Sequence, residues 1–276
     1  MSVGARVRAA PRRLVWWLLA QARSNWALRL RSQPLVGPSI HAVSHRLWPR
    51  GRRTPLEVKA GLGEGLKLEL DPRYETKLWR GDLEPEVQRR LGEIVRPGWV
   101  VWDVGASLGF FTLVLARLVG PSGRVVAFEP DRDAVARLER HVRVNAFDNV
   151  LIRPVVVWSS AGEVSFGIGA SDHGRIHGRV GDSDERVEAV TLDGSLAELE
   201  PPHLVKIDVE GAEEEVLRGA GGLLERHAPI VLCEVHLEHG RAPERLNRVR
   251  ALLEGHGYTV EQLDPGVDPT HVLAQR

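Results

Sequence analysis

"VVWDVGASLGFFTLVLARLVG", Val100 to Gly120, decides how this chain folds. An apolar run closes on Asp103, a short loop carries Gly105 and Gly109, and a second apolar run opens at Phe110. Trp99–Asp103 has the length of a strand and Phe110–Leu118 that of a helix. Glycine between them lets the backbone turn sharply and keeps Cβ atoms away from a close approach. The helix offers free N–H groups and the positive end of its dipole at the turn. Strand, glycine loop and helix in this order predict a binding loop at the carboxyl end of a parallel strand.

The same alternation runs outward in both directions. Upstream, "LKLEL" (66–70) alternates as a strand, and residues 83–95 carry Leu83, Val87, Leu91, Ile94 and Val95 at helical spacing. Downstream, strands are expected at 124–130, 149–158, 203–211 and 229–238, with helices at 132–144, 212–226 and 243–254. "EVSFGIG" and "RVEAVTL" read as two extra strands around a loop, residues 170–185, holding His173 and His177; we read it as a substrate-side lid. "YTVEQL" and "HVLAQ" read as a closing hairpin. Strands alternating with helices predict an α/β fold with a doubly wound parallel sheet, and Val-rich strands suit a sheet covered on both faces.

At 276 residues and 43% hydrophobic, the chain is long enough for one large α/β domain or two small ones. Its single cysteine, Cys233, excludes an internal disulfide framework and suits a reducing compartment, so a cytoplasmic location is expected. The longest N-terminal apolar run, Leu14–Ala20, falls well short of the roughly 20 residues of a spanning helix, and no secretory signal is expected. Charge divides the chain near residue 56. Residues 1–56 hold eleven arginines and neither Asp nor Glu, which leaves 26 Lys and Arg against 37 Asp and Glu, a net of −11, for residues 57–276. We read 1–56 as a basic Arg-rich extension and 57–276 as the main domain. The extension reads as a segment packed on that domain or as a patch for an anionic membrane or partner. It has no lysine and no interleaved basic-aromatic pattern, so nucleic acid is not expected.

The loop also says which ligand to expect. A dinucleotide loop reads G-x-G-x-x-G and takes a pyrophosphate on the helix N-terminus. This one reads Asp103-x-Gly105-x-x-x-Gly109, with Ser107 where the second glycine would stand. A carboxylate there repels a pyrophosphate and suits a cationic ligand. Glu129 ends the next strand, 20 residues after Gly109, where an acid takes ribose hydroxyls. A ribose, a close backbone approach and a positive charge together describe S-adenosylmethionine. An NAD-linked oxidoreductase is the rival that the loop argues against, and a tight turn with an incidental aspartate is the plain alternative.

"KIDVEG" (206–211) puts Lys206, Asp208 and Glu210 on one side of a strand that continues that far. Ionised groups in a buried strand must be paired, so these form either a structural ion cluster or catalytic machinery. As machinery, Asp208 or Glu210 would take a proton from an acceptor hydroxyl and Lys206 would orient it. On the next strand Glu234, His236 and Glu238 alternate; His236 is a further candidate base. Asp208, Glu234 and His236 are types that hold a divalent ion, but the sequence gives no support for a metal and none is predicted.

"DVGASLGFFT" (103–112), "VVAFEP" (125–130), "VEAVTLDGSL" (187–196), "LVKIDVEGAEEEVLRGA" (204–220) and "IVLCEV" (230–235) resemble, in order and spacing, the FkbM family of S-adenosylmethionine-dependent methyltransferases. "LWRGDLEPEV" (78–87) looks like the segment before the family's core, and the likeness covers roughly residues 66–237. It implies a Rossmann-like class I methyltransferase fold, a seven-stranded, mostly parallel sheet with an antiparallel last strand. It implies cofactor contacts from Asp103, Gly105, Ala106, Ser107 and Gly109, ribose contacts from Glu129, an adenine neighbour around Trp158, and Asp208 at the methionine end. The acceptor it implies is a hydroxyl on a polyketide-like small molecule or a sugar or glycan. The family loop commonly carries Asn where Ser107 stands. A relative that binds cofactor without turnover is the alternative outside enzymes.

Overall fold

The computed structural model describes residues 53–71, 74–170, 176–180, 186–236, 242–265 and 268–276. The expected extension, apart from its last residues, and His173 and Glu238 lie outside the described residues. The chain divides into two units, Met1–Thr54 with Asp71–Thr76 and Pro55–Leu70 with Lys77–Arg276. The second unit carries the central sheet.

The elements run β1 (Thr54–Glu57), β2 (Lys67–Leu70), α1 (Thr76–Arg80), α2 (Pro85–Ile94), β3 (Val100–Val104), α3 (Phe110–Val119), β4 (Arg124–Phe128), α4 (Arg132–Val144) and β5 (Val150–Arg153). They continue β6 (Val156–Val157), β7 (Gly162–Ala170), β8 (Ile176–Val180), β9 (Arg186–Val190), α5 (Leu192–Ser195), β10 (Leu204–Ile207), α6 (Glu213–Arg218) and α7 (Gly221–Arg226). The last are β11 (Ile230–Val235), α8 (Ala242–Gly255), β12 (Thr259–Gln262) and β13 (Thr270–Gln275).

Seven strands form the central sheet in the order β12-β13-β11-β10-β3-β4-β5. All pair in parallel except β13, which runs antiparallel between β11 and β12. This is the expected Rossmann-like, doubly wound architecture with an antiparallel last strand. Strand order reverses at β3, where the chain leaves first toward β4 and returns through β10. Ligands bind at such a switch point, beyond the carboxyl ends of the strands.

The pleat sorts the strands into two faces. Trp102, Val104, Val205, Ile207, Cys233 and Val235 join one apolar cluster with Val216, Leu217, Leu223 and Leu224 of α6 and α7. Trp102 meets Phe128 edge-to-face at 5.8 Å, a favoured aromatic geometry. The residues between them, among them Asp103, Ala127, Lys206 and Glu234, belong to the opposite face. Register sets Lys206 directly beside Asp103.

Four expected elements differ. The single strand at 149–158 is two: β5 ends at Arg153, and β6 pairs in parallel with β9 in a separate sheet, β6-β9-β7-β8. Pro154, which has no N–H to donate, stands at the break. The loop at 170–185 is partly strand, since Ile176–Val180 pairs antiparallel with β7. That puts the backbone of His177 in β8, not in a loop. The strand at 203–211 stops at Ile207, because Glu210 and Gly211 turn the chain with φ of 50° and 101°. The helix at 212–226 is divided. The Gly219 carbonyl turns out to Asp193 N–H, and the Asp193 carboxylate accepts from Gly222 and Leu223 N–H, capping α7.

Two glycines of the opening stretch are required by packing. Gly105 has φ +84°, and a Cβ there would lie 1.8 Å from the Asp208 carbonyl oxygen; at Gly109, φ +93°, a Cβ would lie 2.1 Å from Leu138 Cδ1. The loop is thus pressed against β10's exit and α4, and the space that glycine gives is filled by protein. Gly105→Ala should combine left-handed strain with a backbone clash and destabilise the fold by about 3 kcal/mol or more, read as a lower urea midpoint. An unchanged midpoint would mean the loop and the β10 exit are not packed as described.

Candidate active site

Asp103, at the penultimate position of β3, is fully buried. Its Oδ2 accepts a hydrogen bond from Thr112 Oγ1 at 2.6 Å, on the first turn of α3. Its Oδ1 has no hydrogen-bond partner among the described residues and lies 4.0 Å from Lys206 Nζ. Burial pushes this carboxyl up from its ordinary range, against the pull of Lys206 and Thr112. Lys206 is 3% exposed, with Nζ 3.2 Å from Asp208 Oδ2 and 4.8 Å from the centre of the Phe111 ring. Burial alone would favour the neutral amine, but Asp208, Asp103, Glu84 and Glu234 hold it above its ordinary value, so it stays charged. The aromatic face completes its shell. Asp208 is also desolvated, but Lys206 and His236 draw it below the usual carboxylate range.

The loop joins this set to Glu129. Gly105 and Ala106 N–H both donate to the Phe128 carbonyl, at 2.9 and 3.1 Å. That fold aims Ser107 N–H at Glu129 Oε2, 2.7 Å away, while Asp131 N–H donates to Oε1 at 2.9 Å. Burial pushes the Glu129 carboxyl up to about 7, and the two backbone bonds work against the shift. Each oxygen keeps a second lone pair for a further donor. Ser107 has φ +50°, the left-handed region that asparagine tolerates better than serine. The departure from the family loop therefore acts through the backbone, and what residue 107 delivers to Glu129 is its N–H.

Glu210 and His236 meet at the rim, Glu210 Oε2 lying 3.2 Å from His236 Nε2. The other imidazole nitrogen, Nδ1, is 2.8 Å from Glu213 Oε1, which also accepts from Gly211 N–H. Glu213 is fully buried, and its Oε2 has no hydrogen-bond partner among the described residues. Burial pulls His236 toward neutrality, but Glu213, Glu210, Asp208 and Glu234 push it up to about 9. Glu234, on β11, is pushed up to about 7 by burial and by Asp208.

Asp103, Lys206, Asp208, Glu210 and His236 thus share one charged cluster, linked through the loop to Glu129. Trp158 stands apart: its backbone N–H donates to the Val190 carbonyl, and its ring packs with Val156, Phe166 and Ala189 of the second sheet. Sequence reasoning misses Glu213, which looks like an ordinary acid in the first turn of a helix. It also misses Glu84 and His271, which only tertiary pairing brings to Glu234. Acceptors outnumber cations here, so the arrangement suits a cationic, hydroxyl-bearing ligand.

His236 gives a pH signature. Its folded value is raised, so its contribution to stability is complete below about pH 6.5 and disappears as pH rises through about 9. In urea unfolding, the parent should lose up to roughly 3 kcal/mol more than His236→Gln across that window. Parallel curves would show that Glu210 and Glu213 do not hold the imidazolium.

Most of these residues fall inside the profile of a known family. The methyltransferase FkbM domain profile matches residues 103–260. A 31-O-demethyl-FK506 methyltransferase, FkbM, of Streptomyces tacrolimicus is 32% identical over 224 residues, covering 68% of this chain and 84% of its own. A hexuronic acid methyltransferase, AglP, of Haloferax volcanii is 32% identical over 165 residues, covering 58% of this chain and 66% of its own. A methyltransferase FkbM structure from Methylobacillus flagellatus is 18% identical with a TM-score of 0.48, covering 74% of this chain and 58% of that one. The profile spans more than half of the sequence and begins at Asp103 itself: this chain belongs to the FkbM family of methyltransferases.

Proposed function

We propose that residues 57–276 transfer a methyl group from S-adenosylmethionine to a hydroxyl oxygen of a small molecule, polyketide-like or sugar or glycan. The observation that carries the cofactor is Glu129, a buried carboxylate fixed by two backbone N–H groups, with a free lone pair on each oxygen for a ribose diol. The surplus of carboxylates around Lys206 suits a sulfonium and an α-amino group. The names of the relatives, one for a demethyl-FK506 methyltransferase and one for a hexuronic acid methyltransferase, support the acceptor class.

S-adenosylmethionine supplies the methyl group on a positively charged sulfur. The chain must bind it, align the acceptor and hold the released proton. Asp103 and Asp208 keep Lys206 charged, and Lys206 fixes Asp208 Oδ2 at 3.2 Å. Asp208 is ionised at neutral pH and is the group assigned to accept the hydroxyl proton. His236, protonated at that pH, donates to Glu213 and Glu210 and so fixes Glu210 at the rim assigned to the acceptor. The loop residues Asp103 to Gly109 are assigned to the cofactor, and Trp158, packed in the second sheet, is not. Residues 1–56 are assigned to an anionic surface or partner, without nucleic acid. Among the described residues no helix is long and apolar enough to cross a membrane. A cytoplasmic location is part of the proposal, and a free, buried thiol at Cys233 is compatible with it.

Isothermal titration with S-adenosylmethionine, S-adenosylhomocysteine and NAD tests the cofactor. The first two should bind, and Glu129→Ala should weaken them by about 1.5–3 kcal/mol, roughly ten- to hundredfold. Binding of NAD alone would refute the reading. With a hydroxylated acceptor, Asp208→Asn should bind cofactor but lose at least about 100-fold in turnover, the low end of what a general base supplies. Turnover equal to the parent would remove Asp208 as base.

A further inference from the structure

A second constellation adjoins this cluster and shares Glu234 with it. Antiparallel register sets Glu234 of β11 opposite His271 of β13. Glu84, the residue before Pro85 at the start of α2, reaches the same place. His271 Nε2 lies 3.3 Å from Glu84 Oε2 and 3.6 Å from Glu234 Oε2. The three donor atoms all fall within 4.8 Å of one another.

The His271 ring is held from behind. Its Nδ1 is 2.7 Å from Asp264 Oδ2, and Asp264 Oδ1 accepts the backbone N–H of His271 at 2.6 Å. An imidazole that gives its Nδ1 proton to a carboxylate points Nε2 outward as a ligand, which is how protein metal ligands are oriented. Here Nε2 faces two carboxylates. The His271 side chain is only 6% exposed, and Nε2 makes no hydrogen bond of good geometry among the described residues. Glu84 Oε2 is likewise buried and makes no hydrogen bond among the described residues, its ion pair to that ring being its contact here. The carboxylates thus call for a cation at Nε2, and a metal ion that takes the place must release a proton.

We propose that Glu84, Glu234 and His271 bind a divalent transition-metal cation, Mn²⁺ or Zn²⁺, with Asp264 as the positioning carboxylate. Metal–ligand bonds of about 2.0–2.2 Å in a tetrahedral arrangement separate the ligand atoms by about 3.3–3.6 Å. The two separations at Nε2 have that length. The imidazole and the tetrahedral spacing favour Zn²⁺ over Ca²⁺ and Mg²⁺, which take all-oxygen shells; Mn²⁺ shares their carboxylate preference and completes its shell with water. Three protein ligands leave a position open for water or a substrate oxygen. Glu234 is shared with the methyl-transfer cluster, its Oε1 lying 3.8 Å from His236 Nε2, so the ion would sit one carboxylate from that rim.

The test reads metal and not turnover, so its failure leaves the methyl-transfer reading standing, and the converse holds. The full-length chain, stripped with EDTA and dialysed, is titrated with MnCl₂ under electron paramagnetic resonance and with ZnCl₂ by calorimetry. One saturable equivalent is expected. Glu84→Gln and His271→Gln should weaken it more than about tenfold, Asp264→Asn roughly ten- to hundredfold, and His236→Gln by less than about threefold. Circular dichroism and thermal unfolding establish that each variant is folded. If His271→Gln fails to fold, Glu84→Gln, at a helix start and part-exposed, still decides. No saturable uptake by the parent overturns the site. So does uptake that survives Glu84→Gln or depends on His236, which would move the ion to Asp208, Glu234 and His236.

Discussion

Lys206 carries a full charge to a place where water does not follow, and the surrounding structure is arranged to make that tolerable. An unpaired ammonium buried in a sheet costs several kcal/mol. Asp103 on the neighbouring strand, Asp208 two residues on and the face of Phe111 on α3 share the compensation. These partners come from β3, from the β10 exit and from the helix after the loop. The charge therefore ties together the three segments that form the switch point. It also explains the close approach of Gly105 to the Asp208 carbonyl. If the β10 exit drew back to admit a Cβ, Asp208 would move away from the cation it neutralises.

The change from a strand-like run to a helical period at Val100–Val119 reports both elements and the turn between them, because one local pattern dictates all three. Asp103, Glu129, Lys206 and Asp208 are legible for the same reason: each is a charged residue in or beside an apolar strand. Other features depend on distant partners. Nothing within 212–226 says that Asp193 will seize two of its N–H groups and divide the helix. The apolar spacing of Ile207 and Val209 suggests a longer β10, whereas Glu210 and Gly211 turn away with positive φ. Pro154 is visible in the sequence, but the second sheet that receives the chain after it is not. Glu84, Glu213 and His271 read as a helix-start acid, a first-turn acid and a strand histidine. Only the register of β11 with β13 and the placement of α2 show what they face.

The sheet's two faces divide the work, and the division follows from the two-residue period of a strand. One face carries Trp102, Val104, Val205, Ile207, Cys233 and Val235 under α6, α7 and α8, and these side chains pack into one buried apolar cluster. It can be packed for stability alone. On the other face the alternate positions of the same strands carry Asp103, Lys206 and Glu234, against α3 and the start of α2. Those charges lie toward the carboxyl ends, where Lys206 and the Thr112 hydroxyl face Asp103, and the imidazoles of His236 and His271 face Glu234. A shift of one residue in β10 would send Lys206 into the apolar cluster and Ile207 toward Asp103, so the sheet's register and the site's chemistry are fixed by the same pairing. The charged pair opposes such slippage because either wrong register leaves a buried carboxylate facing hydrocarbon. Buried polarity on this face thus opposes a slip of β10 against β3, while the other face adds the burial of apolar side chains.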